Sequence, residues 1–250
     1  MTTERTDRIK AAADEGRADA QWAMGLFLEQ GFQAPADLAQ AAVWYERAAN
    51  QGLAVAQFDL AHLYWRGAGV AQSDAVGLEW CRKAAEGDFA LAQYTLGIWY
   101  LERMGDAQKA MHWLQRAADG RNSAAAFRLG SIYEQGRGVK VNPDEALAWY
   151  ARGEALGDPQ ATYHLARLYE DRVKGPTDNT TVLELYEKAA ARGAAAACLA
   201  LAKAYDQGLL GLEKDAIKAA EYVAKFTIMR DASKRHLREA LRELKEDRTG

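Results

Sequence analysis

A chain of 250 residues, 49% hydrophobic and with only four prolines, has ample apolar material for packing, and its length suggests one or two domains. Its net charge of −3 and pI near 5.9 provide no overall basic field, which argues against DNA or RNA as a partner. No apolar run is long enough to span a bilayer, so no membrane insertion is expected, and two cysteines, Cys81 and Cys198, cannot build a disulfide framework.

In chain order, Met1 to Arg8 lacks the apolar stretch of a leader. The chain is therefore expected in a reducing cytoplasm, and in a periplasm only if a leader has been removed. Residues 9–16 align with residues 45–52, with Arg8 where Trp44 stands. A charge in a tryptophan position suits an N-terminal cap that has no neighbour to pack on.

From Ala20 onward one pattern governs the chain. Motif alanines stand at Ala20, Ala56, Ala92, Ala125, Ala161 and Ala197, separated by 36, 36, 33, 36 and 36 residues. Four residues later come Met24, Leu60, Leu96, Leu129, Leu165 and Leu201, each followed by glycine or alanine, and eight residues later Leu28, Tyr64, Tyr100, Tyr133, Tyr169 and Tyr205. Apolar residues at this spacing share one face of a helix, and the tiny residue leaves room for another backbone to approach. A fixed period over the whole length means a stacked repeat architecture.

Each unit closes with a second helix, marked by Trp44, Trp80, Trp113, Trp149 and, out of pattern, Leu185. Gly52, Gly87, Gly120, Gly157 and Gly193 are placed to end these helices in the left-handed conformation. Asp37, Asp74 and Pro143-Asp144 mark the second-helix starts, after loops such as Gly67-Ala-Gly69-Val70 and Gly136-Arg-Gly138-Val139. Units begin near residues 17, 53, 88, 121, 158 and 194. The repeats then occupy residues 1–229, and residues 230–250 form a C-terminal capping helix and tail. In that cap Leu237, Leu241 and Leu244 lie on one face and Arg235, Arg238, Arg242 and Lys245 on another.

The segments Ala125-Ala-Phe-Arg-Leu-Gly-Ser-Ile-Tyr133, Gly136-Arg-Gly-Val139, Asp144-Glu-Ala146 and Trp149 resemble the Sel1-like repeat family, a relative of the tetratricopeptide repeats. The resemblance covers roughly residues 8–228 and implies an all-α, right-handed α/α solenoid (superhelix) of about six helix-turn-helix repeats with a capping helix at each end. Two units depart from the pattern, at Arg103-Met104-Gly105-Asp106 and at Arg172-Val-Lys-Gly-Pro176. The resemblance also implies a bacterial source and a scaffold or adaptor binding a protein or peptide segment on the concave face formed by the first helices. An immunity or inhibitor protein wrapping a globular toxin or enzyme is the alternative, and a β-lactam or cell-wall hydrolase is the third reading.

Catalytic patterns are missing from the sequence. His62, His112, His164 and His236 are scattered over four units, and no HExxH, CxxC, GxSxG or SxxK occurs. Neither Gly67-Ala-Gly69 nor Gly136-Arg-Gly138 continues into a dinucleotide fingerprint. No catalytic residue, metal or cofactor is therefore expected.

Surface positions carry what remains. Six residues after the motif alanine stand Leu26, His62, Ile98, Ser131, Arg167 and Lys203; nine after it stand Glu29, Trp65, Leu101, Glu134, Glu170 and Asp206. The acids are expected to face solvent. Trp65 and Leu101 break the series in adjacent units, with His62, Arg66 and Ile98 nearby. Two readings stay open for Trp65: an anchor for a partner, or packing on Leu101. Glu134, Arg167 and Glu170 complete the candidate groove set, and a monomer is favoured. The aromatic series Trp22, Phe58, Tyr94, Phe127 and Tyr163, two residues after each alanine, is expected to pack between repeats.

Overall fold

The computed structural model describes residues 3–31, 35–172 and 176–246. Among these the chain forms thirteen helices and no strand. After α1 (Thr3–Asp14) they come as pairs: α2 (Ala18–Glu29) with α3 (Leu38–Asn50), α4 (Ala54–Arg66) with α5 (Asp74–Glu86), and α6 (Ala90–Glu102) with α7 (Ala107–Asp119). The series continues with α8 (Ser123–Gln135) and α9 (Pro143–Ala155), α10 (Pro159–Arg172) and α11 (Pro176–Ala191), and α12 (Ala195–Gln207) and α13 (Ala216–Glu246). The chain comprises two compact units, Met1–Ala125 and Ala126–Gly250.

The motif residues form the interior of both units. Ala56, Ala92, Ala125, Ala161 and Ala197 are fully buried, as are Leu60, Leu96 and Leu201. Each such leucine contributes roughly 2 kcal/mol from apolar burial. The tiny residue after it receives a side chain of its own repeat's second helix, where the sequence suggested an approaching backbone. A Cβ on Gly25 would lie 2.5 Å from the Tyr45 ring, one on Gly97 2.8 Å from Leu114, and one on Gly130 2.6 Å from Tyr150. In these three pairs the missing Cβ lets the two helices approach closely.

Hairpin closure follows a single rule. The residue capping the second helix donates its N–H to the carbonyl of the tyrosine-position residue of the first: Asp37 to Leu28, Ser73 to Tyr64, Asp106 to Tyr100, Asn142 to Tyr133 and Asp215 to Tyr205. The same side chains accept from the new helix, at 2.9 Å for Asp37 from Gln40 N and 3.0 Å for Asp106 from Lys109 N. Ser73 and Asn142, and not Asp74 and Asp144, are the caps of α5 and α9. Because Asp106 keeps both bonds, the third loop loses three residues without changing the hairpin. In the irregular fifth loop, residues 173–175 lie outside the described residues.

Helix ends also differ in part from expectation. Gly52, Gly157 and Gly193 take φ of 86°, 91° and 100°, whereas Gly87 and Gly120 stay at −79° and −74°. There the left-handed residue is the following one, Asp88 or Arg121. At 120 a Cβ would collide with that of Ala90 at 2.8 Å, and at 87 it would sit tightly against that of Ala54 at 3.3 Å, so space favours glycine at both.

The first unit is held by a ladder absent from the sequence reading. Gln21, Gln57 and Gln93, one residue after the motif alanine and at most 7% exposed, donate to the carbonyls of Ala13, Ala49 and Ala85 at 3.3, 3.0 and 3.0 Å. Each joins a first helix to the end of the preceding helix, satisfying a polar group that burial would otherwise penalise. In the second unit the corresponding positions are Ala126, Thr162 and Cys198, and Thr162 donates its hydroxyl to Asp158 O at 2.7 Å.

Two members of the aromatic series contact the next repeat, as expected, while Tyr94 lines an open groove. Trp22 Nε1 donates to Asp59 of the next first helix at 2.7 Å, and Phe127 lies 5.4 Å from His164 of the next. At the C-terminal end no break occurs near residue 230. With no glycine or proline after Gly211 until Gly250, α13 continues through residue 246. Its Tyr222, Phe226 and Met229 pack on the core built from Val182, Tyr186 and Leu201. The side chains of Leu237, Leu241 and Leu244, expected to seal the last repeat, lie outside the described residues, as do those of Arg238, Arg242 and Lys245.

Candidate interaction grooves on the first helices

The residue nine after the motif alanine faces the second helix of its own repeat. In three repeats it is a glutamate accepting a tyrosine hydroxyl: Tyr45 to Glu29 at 2.7 Å, Tyr150 to Glu134 at 2.6 Å and Tyr186 to Glu170 at 2.5 Å. Burial pushes all three tyrosine pKa values well above the ordinary phenol value. Glu29 and Glu134 are part-buried, which corrects the solvent-facing expectation for those two, whereas Glu170 is exposed as expected and still accepts the Tyr186 hydroxyl. The sequence signal was a glutamate followed sixteen residues later by tyrosine, three times over.

Trp65 and Leu101 are the two apolar replacements of that acid, and the second helix changes with them. Tyrosine gives way to Cys81 in one repeat and to Leu114 in the other, both fully buried. Leu101 is itself 6% exposed. It therefore drops out of the groove set: its side chain belongs to the interior, in the position the glutamate holds elsewhere. Trp65 is half-buried against the core of Cys81, Ala84 and Leu96. Its ring stacks on Trp99 at 6.5 Å with 13° between planes, and it fills the space of the Cβ that Gly77 lacks. Its Nε1 is buried with no hydrogen-bond partner. The contacts that place Trp65 are thus Gly77 and Trp99.

Between α4 and α6 an open groove of about 360 Å³ is lined by His62, Trp65, Tyr94, Ile98, Trp99 and Arg103, among others. His62 is exposed at its edge, edge-on to Phe58 at 4.7 Å and to Trp65 at 5.2 Å. Ile98 is half-buried within it. Arg66 is exposed outside the groove, with its guanidinium 3.8 Å from Glu29.

A second groove, of about 350 Å³, lies between α10 and α12 and is lined by Arg167, Glu170, Leu199, Lys203, Leu209 and Leu210, among others. It occupies the same positions of the repeat as the first. Arg167 pairs with Glu134, which also holds Tyr150. Glu134 therefore anchors Arg167 from beneath. His164, with Nδ1 3.3 Å from Glu134 and its ring 5.1 Å from Tyr150, completes that cluster. Burial draws the His164 pKa below the ordinary imidazole value, so at neutral pH the cationic partner of Glu134 is Arg167. No spacing rule in one sequence pointed to this cluster, because its members come from three helices. Among the described residues no group of three or more His, Cys, Asp or Glu side chains could hold a metal ion.

Sel1 repeats match at residues 18–53, 54–89, 90–122, 123–158, 159–193 and 195–226. The chain belongs to the Sel1 repeat family. The first five matches each contain one helix pair described above, the sixth contains α12 and the start of α13, and the fold class is the all-α solenoid. A Sel1 repeat protein from Oxalobacter formigenes is similar over 92% of this chain and 100% of its own, at 28% identity and a TM-score of 0.78. The structure of c5321, a protective antigen present in uropathogenic Escherichia coli strains, is similar at 28% identity and a TM-score of 0.77. That match covers 88% of this chain and 48% of c5321, so the chain spans about half of that protein. The immunity protein PA5088 from Pseudomonas aeruginosa shares the fold at 20% identity and a TM-score of 0.54, over 86% of this chain and 82% of its own. No curated protein is a significant match. Sel1 repeats generally mediate protein–protein interaction, which makes a protein the expected class of partner.

Proposed function

We propose that this Sel1 repeat protein is a non-enzymatic interaction module that holds a peptide segment of a protein partner in the grooves between adjacent first helices. The observation that carries this reading is the recurrence of one groove at one position of the repeat, once between α4 and α6 and once between α10 and α12. Each leaves apolar side chains open in a surface otherwise rich in charge, with Leu199 43% exposed, and open apolar walls with polar rims are what interfaces use. The residues bearing the role are His62, Trp99 and Ile98 in the first groove and Arg167, Leu199 and Lys203 in the second. Trp65 and Glu134 support them from below.

Affinity capture from cells with the wild type and with an Ile98→Glu, Leu199→Glu variant, quantified by mass spectrometry, tests the proposal. Both positions lie outside the fully buried core, so the variant should keep the wild-type helical content. Partners enriched by the wild type should be lost from the variant. An identical partner list from both proteins would place the interaction elsewhere on the molecule.

A further inference from the structure

The two grooves share their positions but not their chemistry. Six residues after the motif alanine, the groove between α4 and α6 presents His62 and Ile98, whereas the groove between α10 and α12 presents Arg167 and Lys203. Arg167 is committed to Glu134, and Glu170 accepts the Tyr186 hydroxyl. Lys203 is exposed and pairs with no carboxylate among the described residues, Asp206 one turn further on included. One ammonium thus stands unpaired beside the apolar walls of Leu199 and Leu209, which are 43% and 37% exposed.

The spacing adds a second constraint. Leu199 and Lys203 are four residues apart on α12, so their Cβ atoms lie about 5–6 Å apart on one face. In an extended peptide, side chains two residues apart point the same way and are separated by about 6–7 Å. Resting on the groove reading above, we infer that the α10–α12 groove takes an extended segment of a protein partner in which an apolar side chain is followed, two residues later, by an aspartate or glutamate. The apolar side chain lies against Leu199 and Leu209. The carboxylate meets Lys203, and the charge-assisted bond supplies selectivity that the apolar walls alone lack.

The test uses the full chain and three peptides, acetylated and amidated at their ends: Gly-Ser-Leu-Ser-Glu-Ser-Gly, its Glu-to-Gln counterpart and its Leu-to-Ser counterpart. Binding is read by amide chemical-shift titration of isotope-labelled protein. The Glu peptide is expected to bind at least tenfold tighter than either counterpart, with shifts concentrated around residues 163–170 and 199–210. In a Lys203→Gln variant, whose melting temperature should match the wild type because the side chain is exposed, the preference for Glu over Gln should vanish. Equal binding of the Glu and Gln peptides to the wild type would overturn the assignment of Lys203 and leave the groove reading standing. Failure of all three peptides to shift groove residues would overturn both.

Discussion

Trp65 stands where the Cβ of residue 77 would be: an alanine there would place its methyl 2.4 Å from Trp65 Nε1. At the equivalent place in other second helices the chain has Ala41, Ala110, Ala146 and Val182. Three substitutions thus travel together in the second repeat, with Trp65 for glutamate, Cys81 for tyrosine and Gly77 for alanine. Together they exchange a polar Glu–Tyr contact for a buried indole, and the indole supports Trp99 in the wall of the groove.

A Gly77→Ala variant should be destabilised by about 1–3 kcal/mol, the usual cost of forcing one methyl into a filled site. In a Trp65→Ala background the same change should cost almost nothing. Urea unfolding of the two single variants and the double variant gives the coupling directly. An equal cost in both backgrounds would show that the ring does not depend on this glycine.

Trp65→Ala alone should lower stability by about 3 kcal/mol through the cavity it leaves against Cys81 and Leu96. It should also shift the fluorescence of Trp99, which loses its stacking partner at 6.5 Å. Unchanged stability would return Trp65 to the role of an exposed anchor.

Tyr150→Phe removes the hydroxyl that Glu134 accepts at 2.6 Å and should cost about 1–3 kcal/mol, the range for leaving a buried charged acceptor short of a partner. Because Arg167 shares Glu134, the variant should also broaden or shift the Arg167 guanidinium resonances. If those resonances and the unfolding midpoint stay put, the contact is not a structural bond.

Stability should fall on the alkaline side. Burial raises the folded pKa values of Tyr45, Tyr150 and Tyr186 above the ordinary phenol value of about 10. The unfolded chain therefore loses its phenolic protons first. The stabilisation is complete below about pH 10 and is lost as pH rises beyond it. The unfolding free energy should fall progressively as pH rises above about 10, and a Tyr45→Phe, Tyr150→Phe, Tyr186→Phe variant should show a shallower fall than the wild type. Parallel pH profiles would contradict the assignment.

The legible part of this molecule is the part that repeats. Motif alanines and leucines recur at one spacing, and helix pairing, hairpin closure and buried interior follow from them. The hidden part lies in exceptions. Leu101 reads as an open apolar residue until Leu114 is seen in the tyrosine position of its repeat. Gln21, Gln57 and Gln93 read as ordinary polar residues until their carbonyl partners eight residues upstream are located. Glu134 reads as a surface acid until Tyr150, His164 and Arg167 converge on it.

By itself the sequence determined the family, the helix pairs and the period, because local helix signals and a recurrent apolar face need no knowledge of distant contacts. It also determined that Trp65 is exceptional. Only the tertiary structure decided what each exception does, since one side chain position can face solvent, a second helix or a neighbouring repeat, and that choice rests on the volumes and hydrogen-bonding groups facing it. Gly77 makes Trp65 a packed residue, and Lys203 forms no ion pair with a carboxylate among the described residues.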